Sequence, residues 1–403
     1  MKDSFDQVVT CQSVAALKAY DHAVDCQLHA WPGAPAAIER ALEHAPDFAL
    51  AHSTRALLLL SAGRGAEARE ASKQALLLAK ALTEREQSHL GIVNLILEGR
   101  AAAALTGVRA HAEQWPRDAL VMSLALGAFG LIAFSGQADH DQQRFDFVQK
   151  IASKYPTDHP WLLSHQGWVL IETNQPEAGL PFVSRSLELR PANGNAAHVM
   201  MHARFELNDP ERAMDFSHTW LSLYPDTAML FGHIHWHTAL CELQLGQTAA
   251  AVNRLLTTIE PHLAHAPSLV GMTDTTSLLW RLKLMGLRDL NWRAAERFTQ
   301  DKFPHGGNVF AEIHLAMLAA GTGQLNALNE CRLRLQKHAD AGHGGAPSAL
   351  AWVDGLASWL SGDMSTARQS LTQCAEHAVT LGGSHAQRTV IALTLDKAQT
   401  AAD

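Results

Sequence analysis

Glu172-Thr173-Asn174-Gln175-Pro176-Glu177 and Glu206-Leu207-Asn208-Asp209-Pro210-Glu211 are two versions of one phrase. Each reads as a tight turn between two helices, because Pro cannot continue a helix. Each second helix runs into a further Pro-containing turn, Arg190-Pro191-Ala192-Asn193 or Tyr224-Pro225-Asp226, and Pro191 and Pro225 repeat the spacing of the two phrases. Looser copies stand at Leu245-Gly246-Gln247-Thr248 and Ser361-Gly362-Asp363-Met364. The shared step, from position 172 to 206 and from 191 to 225, is the helix-turn-helix period of tetratricopeptide repeats, about 34 residues. Within the copy that starts near Trp161, Gly167 and Gly179 fall where small residues let two helices approach closely, and Pro191 ends the second helix.

Outward from these copies the period drifts, but the punctuation continues. Trp31-Pro32-Gly33, Ala62-Gly63-Arg64-Gly65, Trp115-Pro116-Arg117-Asp118, Tyr155-Pro156-Thr157-Asp158 and Phe303-Pro304-His305-Gly306 break a chain rich in Ala and Leu. Between the breaks apolar residues recur at three and four, and Val/Ile/Thr alternation is scarce. The expected fold class is all-α, a tetratricopeptide-type helix-turn-helix superhelical solenoid of about seventeen to twenty helices. It is expected to run over residues 1–403 as one continuous body, with Ala339–Ser348 as a loop between helix pairs. An irregular helical bundle is the alternative.

The chain has 403 residues, 47% of them hydrophobic and 18% charged, enough apolar material to exclude global disorder. Its net charge of −8, with no run of five like charges, argues against a nucleic-acid partner. The five cysteines (Cys11, Cys26, Cys241, Cys331 and Cys374) form no C-x-x-C pair. A disulfide framework or a thiolate zinc site is therefore not expected, and a reducing compartment is. The opening MKDSFDQVV has no apolar core of a signal peptide. Ala119–Ala138 carries no charge and approaches membrane-spanning length, but its tail is polar and it lacks basic flanks. It is expected to be a buried helix over Ala119–Phe134, in a cytoplasmic protein with no membrane partner.

Six ordered segments carry a resemblance to a known family. They are Pro46-Asp47-Phe48-Ala49-Leu50-Ala51-His52, Thr83-Glu84-Arg85-Glu86 with His89, and Ala196-Ala197-His198-Val199 with His202. Next come Gly232-His233-Ile234-His235-Trp236-His237 with Ala239-Leu240, and Ser277-Leu278-Leu279-Trp280-Arg281-Leu282. The last is Gly382-Gly383-Ser384-His385-Ala386-Gln387-Arg388. Over most of its length the chain resembles the tetratricopeptide repeat protein 38 family. The resemblance implies a cytosolic helical solenoid and says little about activity. Asn208-Asp209-Pro210 departs from the family's usual Gly-Arg at that turn, which touches turn geometry only.

Helix interfaces in a repeat array need apolar and small residues, yet these segments are rich in His, Arg and Asp. His198 and His202 are i and i+4 on one expected helix, His233 and His237 on another, so each pair shares a face. Imidazoles at this spacing suit zinc or another divalent metal. The Glu of H-E-x-x-H is missing, so no zincin follows. His52, His89, His165, His314 and His385 are further candidates, and Trp236 stands beside the second pair. A structural reading runs alongside: each His donates one bond across a helix interface and sits neutral.

Asp274, Ser277 and Arg281 share a helix at i, i+3 and i+7, either lining the same pocket or closing an Asp274–Arg281 ion pair. Arg85, Arg281 and Arg388 are candidates to fix a ligand carboxylate. Glu86 is a candidate base that could equally serve a capping box with Thr83. Ser384 begins a helix after two glycines, where free N–H groups could take an anion.

Two functions are compatible with this pattern. The first is an internal pocket lined by His, Asp and Arg that binds a small ligand or a divalent metal. It would have His198, His202, His233 and His237 as ligands and Asp274 or Glu86 as base for hydrolytic chemistry. Arg85, His89, Trp236, Arg281, His385 and Arg388 would contact the ligand. The second is a non-catalytic scaffold whose groove binds a peptide. The oligomeric state is open.

Overall fold

The structure, a computed structural model, describes residues 1–400. Among them there are twenty-two α-helical segments and no strand, only an isolated bridge between Lys2 and Val8. The helix number slightly exceeds the expectation, and three segments, Ala119–Ala125, Thr248–Arg254 and Glu260–His262, have seven residues or fewer.

The chain packs into two compact units that interleave along the sequence. The first comprises residues 1–132, 142–200 and 220–230. Its helices come in pairs: α1 (Val14–Leu28) with α2 (Ala34–His44), α3 (Ala49–Ser61) with α4 (Gly65–Leu77), and α5 (Glu84–Leu97) with α6 (Ala101–Gln114). Then follow α7 (Ala119–Ala125), α8 (His140–Ala152) from Gln142 on, and the pair α9 (Pro160–Glu172) and α10 (Pro176–Leu189). The start of α11 (Gly194–Glu206) completes it.

The second unit holds residues 133–141, 201–219 and everything from Phe231 on. It contains the end of α11, most of α12 (Pro210–Leu221), α13 (Phe231–Gln244), and a rod made of α14 (Thr248–Arg254) and α15 (Glu260–His262). A π turn, Leu255–Ile259, joins the two parts of the rod. Next are α16 (Ser268–Leu284), α17 (Arg293–Lys302), α18 (Val309–Gly321), α19 (Leu325–Asp340), α20 (Ala346–Ser361), α21 (Met364–Glu376) and α22 (His385–Thr400).

One turn builds nearly every pair. A residue with positive φ stops the first helix, and the next N–H reaches back to a carbonyl five residues earlier, which satisfies an orphan C=O. Asn174 (φ 63°) and Asn208 (φ 50°) do this one repeat apart, with Gln175 N–H donating to Leu170 O and Asp209 N–H to Arg204 O. Gly246 and Gly362 do the same, with Gln247 donating to Glu242 O and Asp363 to Ser358 O. The departure at Asn208-Asp209-Pro210 leaves this geometry intact. Gly167 and Gly179 mark the α9–α10 crossing: a Cβ on Gly179 would stand 2.8 Å from Gly167 O and from Ile171 Cγ1.

Two expectations need correction. Ala119–Phe134 is not one helix: α7 ends at Ala125, Gly127 turns the chain with φ 79°, and a short 3₁₀ turn follows at Ala133–Ser135. Much of the stretch is buried, so its apolar character serves packing without a helix. No described helix is long and apolar enough to cross a membrane. The loop expected over Ala339–Ser348 is shorter, because α19 runs to Asp340 and α20 starts at Ala346.

Helix α16 is buried along most of its length in the second unit. All of its residues from Val270 to Leu282 are buried, including Thr273, Asp274, Thr275, Thr276, Ser277 and Arg281. It packs against α13, α18 and α22. A helix with no solvent face must satisfy its polar groups internally.

Candidate histidine site

The site in the second unit grows from two facing helices. On α13, His233 and His237 sit one turn apart, as their spacing predicts, with Trp236 between them. On α16, Asp274 faces His233, and the His233 Nδ1 to Asp274 Oδ2 distance is 2.7 Å. Trp236 donates its indole N–H to Ser277 Oγ at 3.2 Å. Its ring stacks on His233, 5.4 Å between centroids and 7° between planes. Arg281 lies over the Trp236 ring, 5.5 Å from the centroid.

His202, from the end of α11, closes the group: its ring is 4.4 Å from that of His237, edge to face, and His237 is 4.9 Å from His233. His202, His233 and His237 each offer a ring nitrogen within 4.8 Å of the others, and all three are buried. His198 precedes His202 by one turn on α11, so helix geometry turns both rings to the same side. The His198 ring also stacks on Trp168 at 5.7 Å.

The electrostatics are those of a buried site. Burial raises the Asp274 carboxyl above its usual range against the pull of His233 and Arg281. Burial lowers Arg281 to about 9 despite Asp274. The second carboxylate oxygen of Asp274, Oδ1, is buried without a hydrogen-bond partner.

Several candidate residues turn out to hold the framework. No Asp274–Arg281 bond forms. Arg281 donates instead to Ala386 O at 3.0 Å and to Thr389 Oγ1 at 3.1 Å, tying α16 to α22. Glu86 makes the capping box with Thr83 and also accepts from Thr10 N and Oγ1, in the first unit. Its oxygens are already engaged. Ser384 does not leave its helix start open to an anion: Gln387 Oε1 accepts from Ser384 N, and Ser384 Oγ accepts from Gln387 N. Arg388 donates to Gly383 O at 2.6 Å and lies 3.5 Å from Asp141. His385 is exposed and bonds Glu206 at 2.9 Å.

Arg85 and His89 belong to a second buried cluster, centred on Asp118. Arg85 Nη1 is 2.5 Å from Asp118 Oδ2, His89 Nδ1 is 3.1 Å away, and His111 Nε2 is 3.4 Å away. Burial would raise this carboxyl, but His89, His111 and Arg85 together hold it well below the usual range. Sequence reasoning misses Asp118 and His111 as site residues; the only signal is an acid directly after a Trp-Pro-Arg turn. The remaining histidines act singly: His52 bonds Pro46 O and His314 bonds Phe310 O. His165 packs edge-on against Trp161. Burial lowers His314 to about 4 and His165 to about 3, so both are neutral in the fold.

No protein-family model matches the chain. Among solved structures it is similar to a Rap protein complexed with competence and sporulation factor, at 12% identity and a TM-score of 0.42, over 83% of this chain and 98% of that one. It is similar to the P58(IPK) TPR domain at 15% identity and a TM-score of 0.21, over 95% and 97%. For Naa15/Naa10 bound to HypK the values are 11% and 0.22, over 90% of this chain and 58% of that one. The chain's own repeated turn carries the fold: a tetratricopeptide-type array of helix pairs.

Proposed function

We propose that this helical-repeat protein binds a divalent transition metal on His202, His233 and His237. The single observation that carries the reading is the 2.7 Å bond from His233 to Asp274. A carboxylate that accepts a hydrogen bond from Nδ1–H leaves Nε2 as the lone-pair nitrogen, aimed away from it, as in carboxylate–histidine–metal arrangements. Imidazoles without thiolates or several carboxylates suit zinc and its neighbours, not calcium or magnesium. A tetrahedral zinc, with bonds near 2.0–2.1 Å, needs ligand atoms roughly 3.3 Å apart. The ring nitrogens, which lie within 4.8 Å of one another, have to close by up to about 1.5 Å.

Asp274 is the positioning residue in this reading, and its bond to His233 argues against the role of free base. If one coordination position stays open, the ion supplies a Lewis acid or an activated water. The six ordered segments support kinship with the tetratricopeptide repeat protein 38 family. The five free, buried cysteines support a reducing, cytosolic setting.

The test is calorimetric titration of Zn²⁺ into untagged, chelator-stripped protein. One equivalent is expected to bind, and the binding is expected to be lost in His237→Ala with the helical content retained. Equal uptake by both proteins would remove the site. The scaffold reading stands beside this one, because the chain's own N-terminal segment already lies against a helix as a bound peptide does.

A further inference from the structure

Residues 2–13 have no helix, yet they are placed residue by residue. Phe5 and Gln7 are half-buried and Val9 and Cys11 buried, while Val8, Thr10 and Gln12 are exposed. This period of two is that of an extended chain lying on a surface. The first part closes on itself: the Asp3 carboxylate accepts from Phe5 N and Gln7 N. The second part is held through its main chain. Arg85 Nη2 donates to Val8 O at 3.0 Å. Glu86 accepts from Thr10 N at 2.7 Å and from Thr10 Oγ1 at 2.6 Å. Phe5 packs near Tyr155 and His159.

Two adjacent side chains of opposite charge, both nearly fully buried, thus read one carbonyl and one N–H of a segment outside any helix. Anchoring a tail needs only the apolar burial of Val9 and Cys11. Burying a carboxylate and a guanidinium is costly unless they are well satisfied. Both are also fixed from behind by partners outside the segment. Asp118 pairs with Arg85, and the Thr83 capping box holds Glu86. The reading groups therefore keep their places whether or not the segment is there, and that preorganisation is what a peptide groove requires.

We propose that Val8–Cys11 occupies in cis a groove on α5 built for an extended peptide, and that a partner segment of the same pattern displaces it. The pattern is two small apolar side chains two residues apart, flanking a Thr or Ser whose N–H and hydroxyl meet Glu86. The tether gives the resident segment a high effective concentration, so it masks the groove until a partner competes.

The experiment uses the full chain and a fluorescein-labelled peptide of residues 5–12. Thr10→Pro removes both donors to Glu86 and unseats the resident segment. The variant is expected to bind the peptide with a Kd at least tenfold below that of the unsubstituted chain, and a scrambled peptide is expected not to bind. Binding to neither protein, or equally to both, overturns the proposal. Should Thr10→Pro lose the far-UV circular dichroism of the parent, hydrogen exchange on the unsubstituted chain decides. The Thr10 amide is expected to open at least tenfold more often than the interior amides of α5. Equal protection means a permanently built-in segment and overturns the proposal.

Discussion

Replacing Asp118 with Asn removes one charge from the centre of the first unit and changes almost no volume. The carboxylate is 5% exposed and lies within 3.4 Å of Arg85, His89 and His111. Asn retains an acceptor for His89 but leaves the Arg85 guanidinium, also 5% exposed, without its counter-charge. Breaking a buried pair from one side costs about 3–5 kcal/mol. The retained acceptor and the Val8 carbonyl on Arg85 place Asp118→Asn at the lower end, ~3 kcal/mol. For a unit of this size that corresponds to a fall in melting temperature of roughly 6–12 °C.

Acid supplies the second arm. The folded carboxyl titrates well below its unfolded value, so its contribution is complete above the unfolded value and is lost as pH falls through the folded one. The gap between parent and variant should be constant from about pH 5 to 7 and narrow below about pH 4, by scanning calorimetry of both proteins. A gap under about 1 kcal/mol at pH 7, or one that widens in acid, refutes the reasoning, since an exposed pair would give such a value.

Gly179→Ala is expected to lower stability by about 1–2 kcal/mol, because the added Cβ meets Gly167 O and overpacking outweighs the gain in helix propensity of roughly 1 kcal/mol. A urea midpoint at or above that of the parent counts against the close α9–α10 crossing. Asp274→Asn is expected to weaken zinc binding about 10–100-fold while His202, His233 and His237 stay in place; unchanged affinity in competition with a chromophoric chelator removes Asp274 from the site. All five cysteines are buried, and burial pushes the Cys241, Cys331 and Cys374 thiols up to about 12. Ellman's reagent at pH 8 should therefore titrate none within minutes in the folded protein and five in denaturant. Prompt reaction of any thiol contradicts the packing around it.

The fold was legible because one turn is written in local chemistry. A left-handed Asn or Gly followed by a helix starter needs no tertiary information, and the spacing of Asn174 and Asn208 showed the repeat. The pairing of His233 with His237 was legible for the same reason, since four residues make a helix face. What each side chain meets across the interface was not. Asp274 and Arg281 share a helix at a spacing that suggested a pair. Rotation of α16 sends Asp274 toward α13 and Arg281 toward α22. Arg85 and Arg388 looked available for a ligand because sequence does not show that Asp118, or the carbonyl of Gly383, already takes the guanidinium. Ala119–Phe134 misled for a simpler reason: uniform apolarity reports burial and carries no period to say what the backbone does.

Between Leu255 and Ile259 the α14–α15 rod winds wider than an α-helix. Every residue inserted into a regular helix turns all later side chains by about 100°. In this rod the turning would swing His262 away from Gly232, against which it packs so closely that a Cβ there would meet His262 Nδ1 at 2.6 Å. A π turn takes up one surplus residue within a single loop of backbone and passes the original register on unchanged. A one-codon insertion can thus be stored in a repeat array without re-cutting the interface beyond it. The same feature makes the gene's tolerance uneven: deleting one residue between 255 and 259 restores an ordinary helix, whereas deleting one from α13 or α16 turns a packed face toward the wrong neighbour.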